Sequence, residues 1–154
     1  MRITSGHRDP EAVERLLRSL PEWFGIESAI KSYVEDAHTM PTYLAWSSDG
    51  TPVGAVLVAR HFPTAAEIHL MAVAPDSHRR GIGRALVEAL EQDLIADGVT
   101  LLEVKTLGPS RPDGHYERTR TFYAAMGFQP LEEILDLWPG NPCLIMVKPL
   151  PAAG

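Results

Sequence analysis

The 154-residue sequence predicts an α/β (α+β) fold: a single mixed, mostly antiparallel central sheet flanked by helices, in the order α-α-β-β-β-α-β-α-β-β. Three observations carry this expectation. Apolar residues recur at helical spacing in some stretches and alternate in others. Asp49-Gly50 lies between two apolar runs, a hairpin signal and therefore a signal of antiparallel strands. Between Glu67 and Val104 a strand, a long helix and a second strand follow one another, which calls for a right-handed crossover and two parallel strands.

Each element has its own reason. Asp9 and Pro10 open a helix over 10–20, with Val13, Leu16, Leu17 and Leu20 as its apolar face, and Pro21 ends it. A second helix over 27–38 turns Ile30 and Val34 inward, and the link between the two helices carries Trp23 and Phe24. Strands at 43–46 and 53–59 flank the Asp49-Gly50 turn. The next strand, 67–73, alternates: Ile68, Leu70 and Ala72 share one face, and Glu67, His69, Met71 and Val73 share the other. Ile82, Leu86, Ala89 and Leu90 form one stripe of a helix over 81–96 that Gly98 stops. A short buried strand at 101–104 follows, then a proline-rich segment, a helix over 116–126 ending at Gly127, and strands near 128–137 and 143–150.

Composition bounds the class of protein. With 45% hydrophobic and 22% charged residues the chain reads as one folded domain over 1–154, and its 13 prolines punctuate elements rather than form a linker. Lys plus Arg number 14 against 20 Asp plus Glu, a net charge of −6 without long runs of one sign, so a nucleic-acid partner is not expected. Cys143 is the sole cysteine, which rules out an intrachain disulfide and a cysteine-rich zinc site; no metal is expected, and a reducing cytoplasm fits best. Residues 1–14 are too polar for the core of a signal peptide, and no apolar run approaches the roughly 18 residues a bilayer requires, so no membrane is expected either.

The most informative stretch runs from Val73 to Leu86, a strand end passing through a basic, glycine-containing loop into a helix. N–H groups at a helix start attract anions, and glycine lets a phosphate approach the backbone. A P-loop would need Gly-Lys-Ser/Thr, and a dinucleotide fold would need a third glycine where Leu86 stands. The stretch His78-Arg79-Arg80-Gly81-Ile82-Gly83 instead resembles the acetyl-CoA signature of the GNAT superfamily of N-acetyltransferases, Arg/Gln-x-x-Gly-x-Gly/Ala, with the family-like Val73-Ala74-Pro75 before it. His78 stands where the family usually has Arg or Gln. A second motif, Phe122-Tyr123-Ala124-Ala125-Met126-Gly127-Phe128, is similar to the family's at the right spacing, so the resemblance covers 53–128 strongly and the remainder by order of elements.

The resemblance implies transfer from acetyl-CoA to an amine, leaving CoA as product. His78, Arg79, Arg80, Gly81, Ile82, Gly83 and Arg84 would hold the pyrophosphate, with Arg79, Arg80 and Arg84 supplying charge beside backbone N–H groups. The amine must lose a proton before it can attack, and a carboxylate near apolar walls suits that task. Glu67, fourteen residues before Gly81, is the candidate base by likeness to histone-type members; the bland alternative is an exposed charge at a strand start. His69 on the same face is the second candidate, for which an ordinary hydrogen-bonded strand histidine is the alternative.

By the same resemblance the Met71 N–H would stabilise the oxyanion, and Met71 and Val73, with Ala72 between them, would pair with pantetheine where the strand splays from its parallel neighbour. Tyr123 holds the position of the acid that protonates the leaving thiolate, and Tyr116 either lines the cofactor or faces solvent. Trp23 and Phe24 could stack on an acceptor or plug the loop, and Glu132, Glu133 and Asp136 could attract a cationic amine or form a solvated strand edge. An acyl-enzyme route through Cys143 has no neighbouring His or Asp in sequence. The expected reaction is direct attack by a small-molecule primary amine in a ternary complex. Protein or peptide acetylation, and a noncatalytic acyl-CoA sensor or interaction module, are the alternatives. The apolar residues of 131–150 allow either a homodimer or packing within one subunit.

Overall fold

The computed structural model describes residues 1–21, 26–77 and 81–153. Trp23, Phe24, His78, Arg79 and Arg80 lie outside the described residues. The elements are β1 (Arg2–Thr4), α1 (Pro10–Arg18), α2 (Glu27–Ala37), β2 (Thr42–Trp46), β3 (Pro52–Phe62), β4 (Ala65–Val73), a 3-10 turn (Pro75–Ser77), α3 (Ile82–Ala96), β5 (Leu101–Leu107), α4 (Gly114–Ala125), β6 (Gln129–Trp138) and β7 (Asn141–Pro149). The seven strands are ordered β1-β2-β3-β4-β5-β7-β6. β4 and β5 are parallel, while β1–β2, β2–β3, β5–β7 and β6–β7 are antiparallel, which is the mixed, mostly antiparallel sheet expected from the hairpin and the crossover.

β1 is an addition to the expected order. Three residues are too few to show a period, and this strand is defined by its partners instead. It pairs with β2 from Arg2↔Trp46 to Thr4↔Leu44, the Trp46 Nε1–H donates to Thr4 Oγ1 at 2.8 Å, and the Arg2 guanidinium stacks 5.6 Å from the Trp46 ring. β5 also runs three residues beyond its expected end, because β7 pairs with it as far as Leu107↔Cys143. α4 begins earlier than the apolar pattern indicates, because Asp113 caps it by accepting from the Tyr116 N–H at 3.1 Å.

The chain forms two compact units, one of Met1–Ala59 and His69–Leu94, the other of Arg60–Ile68 and Ile95–Gly154. In the first, Val13, Leu16, Leu17 and Leu20 of the α1 segment are buried with Ile30, Leu44, Leu57 and Leu70. Arg18 bonds to Glu14 and Glu27, each at 2.8 Å, tying α1 to α2. Gly54 of β3 lets α3 approach closely: a Cβ there would lie 2.9 Å from both Ile82 Cγ2 and Leu86 Cδ1. In the second unit β7 lies between β5 and β6, with Leu102, Val104, Leu144 and Met146 buried. Gly127, at φ +98°, closes α4 and starts the chain into β6. Among the described residues no helix is long and apolar enough to cross a membrane.

Candidate active site

β4 holds most of the residues that carry chemistry. Its burial alternates along Ile68, Leu70 and Ala72, which are buried, and His69, Met71 and Val73, which are half-buried. Glu67 breaks the alternation, since it is only 7% exposed, so the reading of an exposed charge at a strand start does not hold. The ladder between β4 and β5 runs from Ala65↔Leu101 to Ile68↔Val104, while β4 continues to Val73 and β5 to Leu107.

In the second unit, this register sets Glu67 directly opposite Glu103. Two carboxylates in that arrangement repel, and the compensation comes from Lys105 on the same face of β5. Its Nζ donates to Glu67 Oε2 at 3.0 Å and to Glu103 Oε1 at 2.8 Å. Burial works against the ammonium, but these hydrogen bonds and the two negative charges outweigh it and raise the Lys105 pKa. The other Glu67 oxygen, Oε1, lies 2.7 Å from Nε2 of His61 at the end of β3. One polar atom each from His61, Glu67 and Glu103 fall within 4.8 Å of one another. The Lys105 ammonium already supplies positive charge to both carboxylates.

In the first unit, His69 Nε2 lies 2.8 Å from Asp36 Oδ2 of α2, and the ring of Tyr33, also on α2, meets the imidazole edge-on at 5.6 Å. Past Met71 and Val73 the chain makes its 3-10 turn, anchored by the Ala74 N–H donating to Val53 O at 2.8 Å. Gly81 then sits at φ +73°, a conformation that suits glycine, with open space where a Cβ would project. The Ala85 N–H donates to Gly81 O at 3.0 Å as α3 begins, and the opening amides of a helix are the ones that can turn to a ligand. A glycine in this conformation directly ahead of a helix start fits a phosphate-bearing group. Arg84 is exposed on α3, 3.7 Å from Glu88.

Tyr123 of α4 is buried, its ring edge-on to Phe122 and Phe128 at 5.4 Å in each case. Burial pushes its phenol well above the usual range, so it is protonated at neutral pH, as an ordinary tyrosine is, and gives up its proton less readily. Tyr116 is exposed at the first turn of α4, its ring against His115. Of the acidic set on β6, Glu133 is taken up by the loop before α4, accepting from Ser110 N at 2.9 Å and Ser110 Oγ at 2.5 Å; Glu132 and Asp136 are exposed. Cys143 is buried and its thiol pKa is raised by that burial, the opposite of what a nucleophile needs.

Asp36, His61, Glu103 and Lys105 are partners that sequence reasoning missed. Glu103 and Lys105 carried a usable signal, because period two puts them on one face of a strand expected to run parallel to β4. Asp36 and His61 carried none.

A model of the acetyltransferase (GNAT) family matches residues 10–128, and the chain belongs to that family, whose members take their acetyl group from acetyl-CoA. No curated protein matches the sequence significantly. Among solved structures, a GNAT-family protein from Desulfovibrio desulfuricans superposes with a TM-score of 0.78 at 21% identity, covering 96% of this chain and 98% of its own. An aminoglycoside 6'-N-acetyltransferase complexed with coenzyme A gives 0.74 at 22% identity, covering 97% of each chain. The ribosomal-protein-S18-alanine N-acetyltransferase from Escherichia coli gives 0.76 at 20% identity, covering 99% of this chain and 96% of its own. At these identities the likeness is one of fold.

Proposed function

We propose that the protein is a cytoplasmic N-acetyltransferase that moves an acetyl group from acetyl-CoA to a primary amine of a small molecule, by direct attack in a ternary complex. The observation that carries this reading is Gly81, at φ +73° with open space where a Cβ would project, placed directly before the start of α3. Acetyl-CoA supplies the acetyl group as a thioester open to attack at its carbonyl carbon. The amides of Gly81 to Arg84, with His78, Arg79 and Arg80, hold the pyrophosphate, and Met71, Ala72 and Val73 line the pantetheine, with Tyr116 also on the cofactor side. The Met71 N–H holds the oxyanion.

β4 carries the two groups that can take the amine's proton, Glu67 and His69. Tyr123, which holds the family's acid position, gives a proton to the leaving sulfur. Trp23 and Phe24 belong to the acceptor wall, and the fold likeness to an aminoglycoside acetyltransferase supports a small amine. The comparable fold likeness to a ribosomal-protein N-acetyltransferase supports peptide acetylation as the second reading. Leu131, Leu135 and Leu137, exposed on β6, support a homodimer.

The test is turnover with acetyl-CoA against free amines and against peptides with free N-termini, in the wild type and in Tyr123→Phe. Free amines should be acetylated faster than peptides. Tyr123→Phe keeps the packed ring and should lose about 10²-fold in kcat with acetyl-CoA binding unchanged. Faster peptide turnover would select the second reading, and near-wild-type turnover in the variant would remove Tyr123 as the acid.

A further inference from the structure

We infer that His69 is the general base and that Asp36 is its positioning residue, together a carboxylate–imidazole dyad reaching from α2 to β4; the inference rests on the acetyltransferase reading above. A carboxylate can only accept a hydrogen bond, so the imidazole nitrogen 2.8 Å from Asp36 Oδ2 must carry the proton. That nitrogen is Nε2, which in the neutral ring leaves the lone pair on Nδ1. The dyad therefore selects the tautomer and orients the ring, the division of labour by which a buried carboxylate serves the histidine of a hydrolase triad. The edge-on Tyr33 ring restrains the imidazole further, and both dyad side chains are 30% exposed, so an incoming amine can reach them.

Glu67 is placed differently. Its oxygens already accept from His61 and Lys105, and its side chain is 9% exposed. To take a proton it would have to leave the Lys105 ammonium with Glu103 alone. Its arrangement suits fixed charge better than proton exchange. The titratable groups shown to face His69 are Asp36 and Tyr33, both from α2; Glu67, two residues back on β4, is paired with Lys105.

The step balances as follows. The substrate ammonium gives one proton to His69 Nδ1, forming an imidazolium that Asp36 stabilises. The amine nitrogen forms a C–N bond to the acetyl carbon and the C–S bond breaks. The sulfur takes the Tyr123 proton, which the nitrogen's second proton replaces, and His69 returns its proton to solvent.

Kinetics over a range of pH and the state of the His69 ring test this together. His69→Gln should lose about 10²-fold in kcat/KM at pH 7, and the deficit should close as pH approaches the amine's own pKa, where no base is required. Asp36→Asn, which keeps the shape but permits the other tautomer, should lower kcat at unchanged KM for acetyl-CoA. Glu67→Gln should retain the acid limb of the pH profile that His69→Gln abolishes. Loss of that limb in Glu67→Gln with its retention in His69→Gln overturns the proposal, as does a pH-independent deficit. The nitrogen chemical shifts of the His69 ring give a readout without turnover: the Nε2–H tautomer is expected in the wild type, and Nδ1–H overturns the dyad. If acetyl-CoA binds but no amine is acetylated, the reaction assigned above has failed, and the ring shifts still decide the dyad.

Discussion

Lys105 is a single side chain on which two carboxylates depend, and its removal has a defined cost. Lys105→Met would leave Glu67 and Glu103 facing each other across the β4–β5 ladder, and we expect a loss of about 2 kcal/mol, read from urea denaturation at pH 7. Glu67→Gln should cost less, because the Glu103–Lys105 pair at 2.8 Å survives it. The pH dependence has a fixed sign. The folded Lys105 pKa is raised, so its contribution is whole below the unfolded value of about 10.4 and is lost as pH rises through the folded value. Wild-type stability should therefore fall on the alkaline side, and Lys105→Met should flatten that fall; an unchanged alkaline limb would show the ammonium to be unimportant. At this scale the sequence displayed residue types but not their partners. Alternation along β4 put Glu67 and His69 on one face, yet the groups that decide their chemistry are Asp36, 33 residues before His69, and Lys105, 38 residues after Glu67. No local pattern links residues that far apart.

Elements were legible wherever burial enforces a period. α1 and α3 show their apolar faces because those faces enter a core, although α1 ends at Arg18, before Leu20, the last residue of its apolar stripe. β1 was not legible, because a three-residue strand is made by β2 and the Trp46 contacts rather than by its own composition. Contact between elements shows most clearly at Gly54. A valine there would overlap Ile82 and Leu86, and since α3 starts at Ile82 the helix would be displaced at its first turn. Gly54→Val should lose about 1–3 kcal/mol through overpacking, and Gly54→Ala less, both measured by denaturant midpoint. The loop before α4 depends on a different kind of contact. Ser110 hydrogen bonds hold the Glu133 carboxyl below its usual range, so this attachment is intact above the unfolded value and is lost as pH falls through the folded one. Hydrogen exchange at the Ser110 amide should accelerate in acid, and Glu133→Gln should show the faster exchange already at pH 7. Equal rates in the two proteins at pH 7 would mean that the loop is held elsewhere, for instance through Arg120 donating to Leu107 O at 2.7 Å.

For the whole molecule, the strand order could be anticipated in kind from two local facts, the Asp49-Gly50 hairpin and the strand–helix–strand run, because connection rules leave few topologies once these are fixed. The position of β7 between β5 and β6 was not among them, since only long-range pairing determines it. Ligand binding is also felt by the whole molecule, because a ligand that binds only the folded chain stabilises all of it. Acetyl-CoA at 100 times its dissociation constant should add about 2.7 kcal/mol, which for a chain of this size raises the melting midpoint by roughly 5–10 °C. CoA should act similarly and dephospho-CoA less. Gly81→Ala separates the cradle from the rest of the fold. Its φ of +73° with open space around it makes the substitution costly in backbone conformation and not in packing. The unliganded protein should lose about 1 kcal/mol, while the acetyl-CoA shift should shrink further than that loss explains if the turn presents its amides to the pyrophosphate. A full-sized shift in Gly81→Ala would detach this turn from cofactor binding, and no shift in the wild type would remove the cradle as the cofactor site altogether.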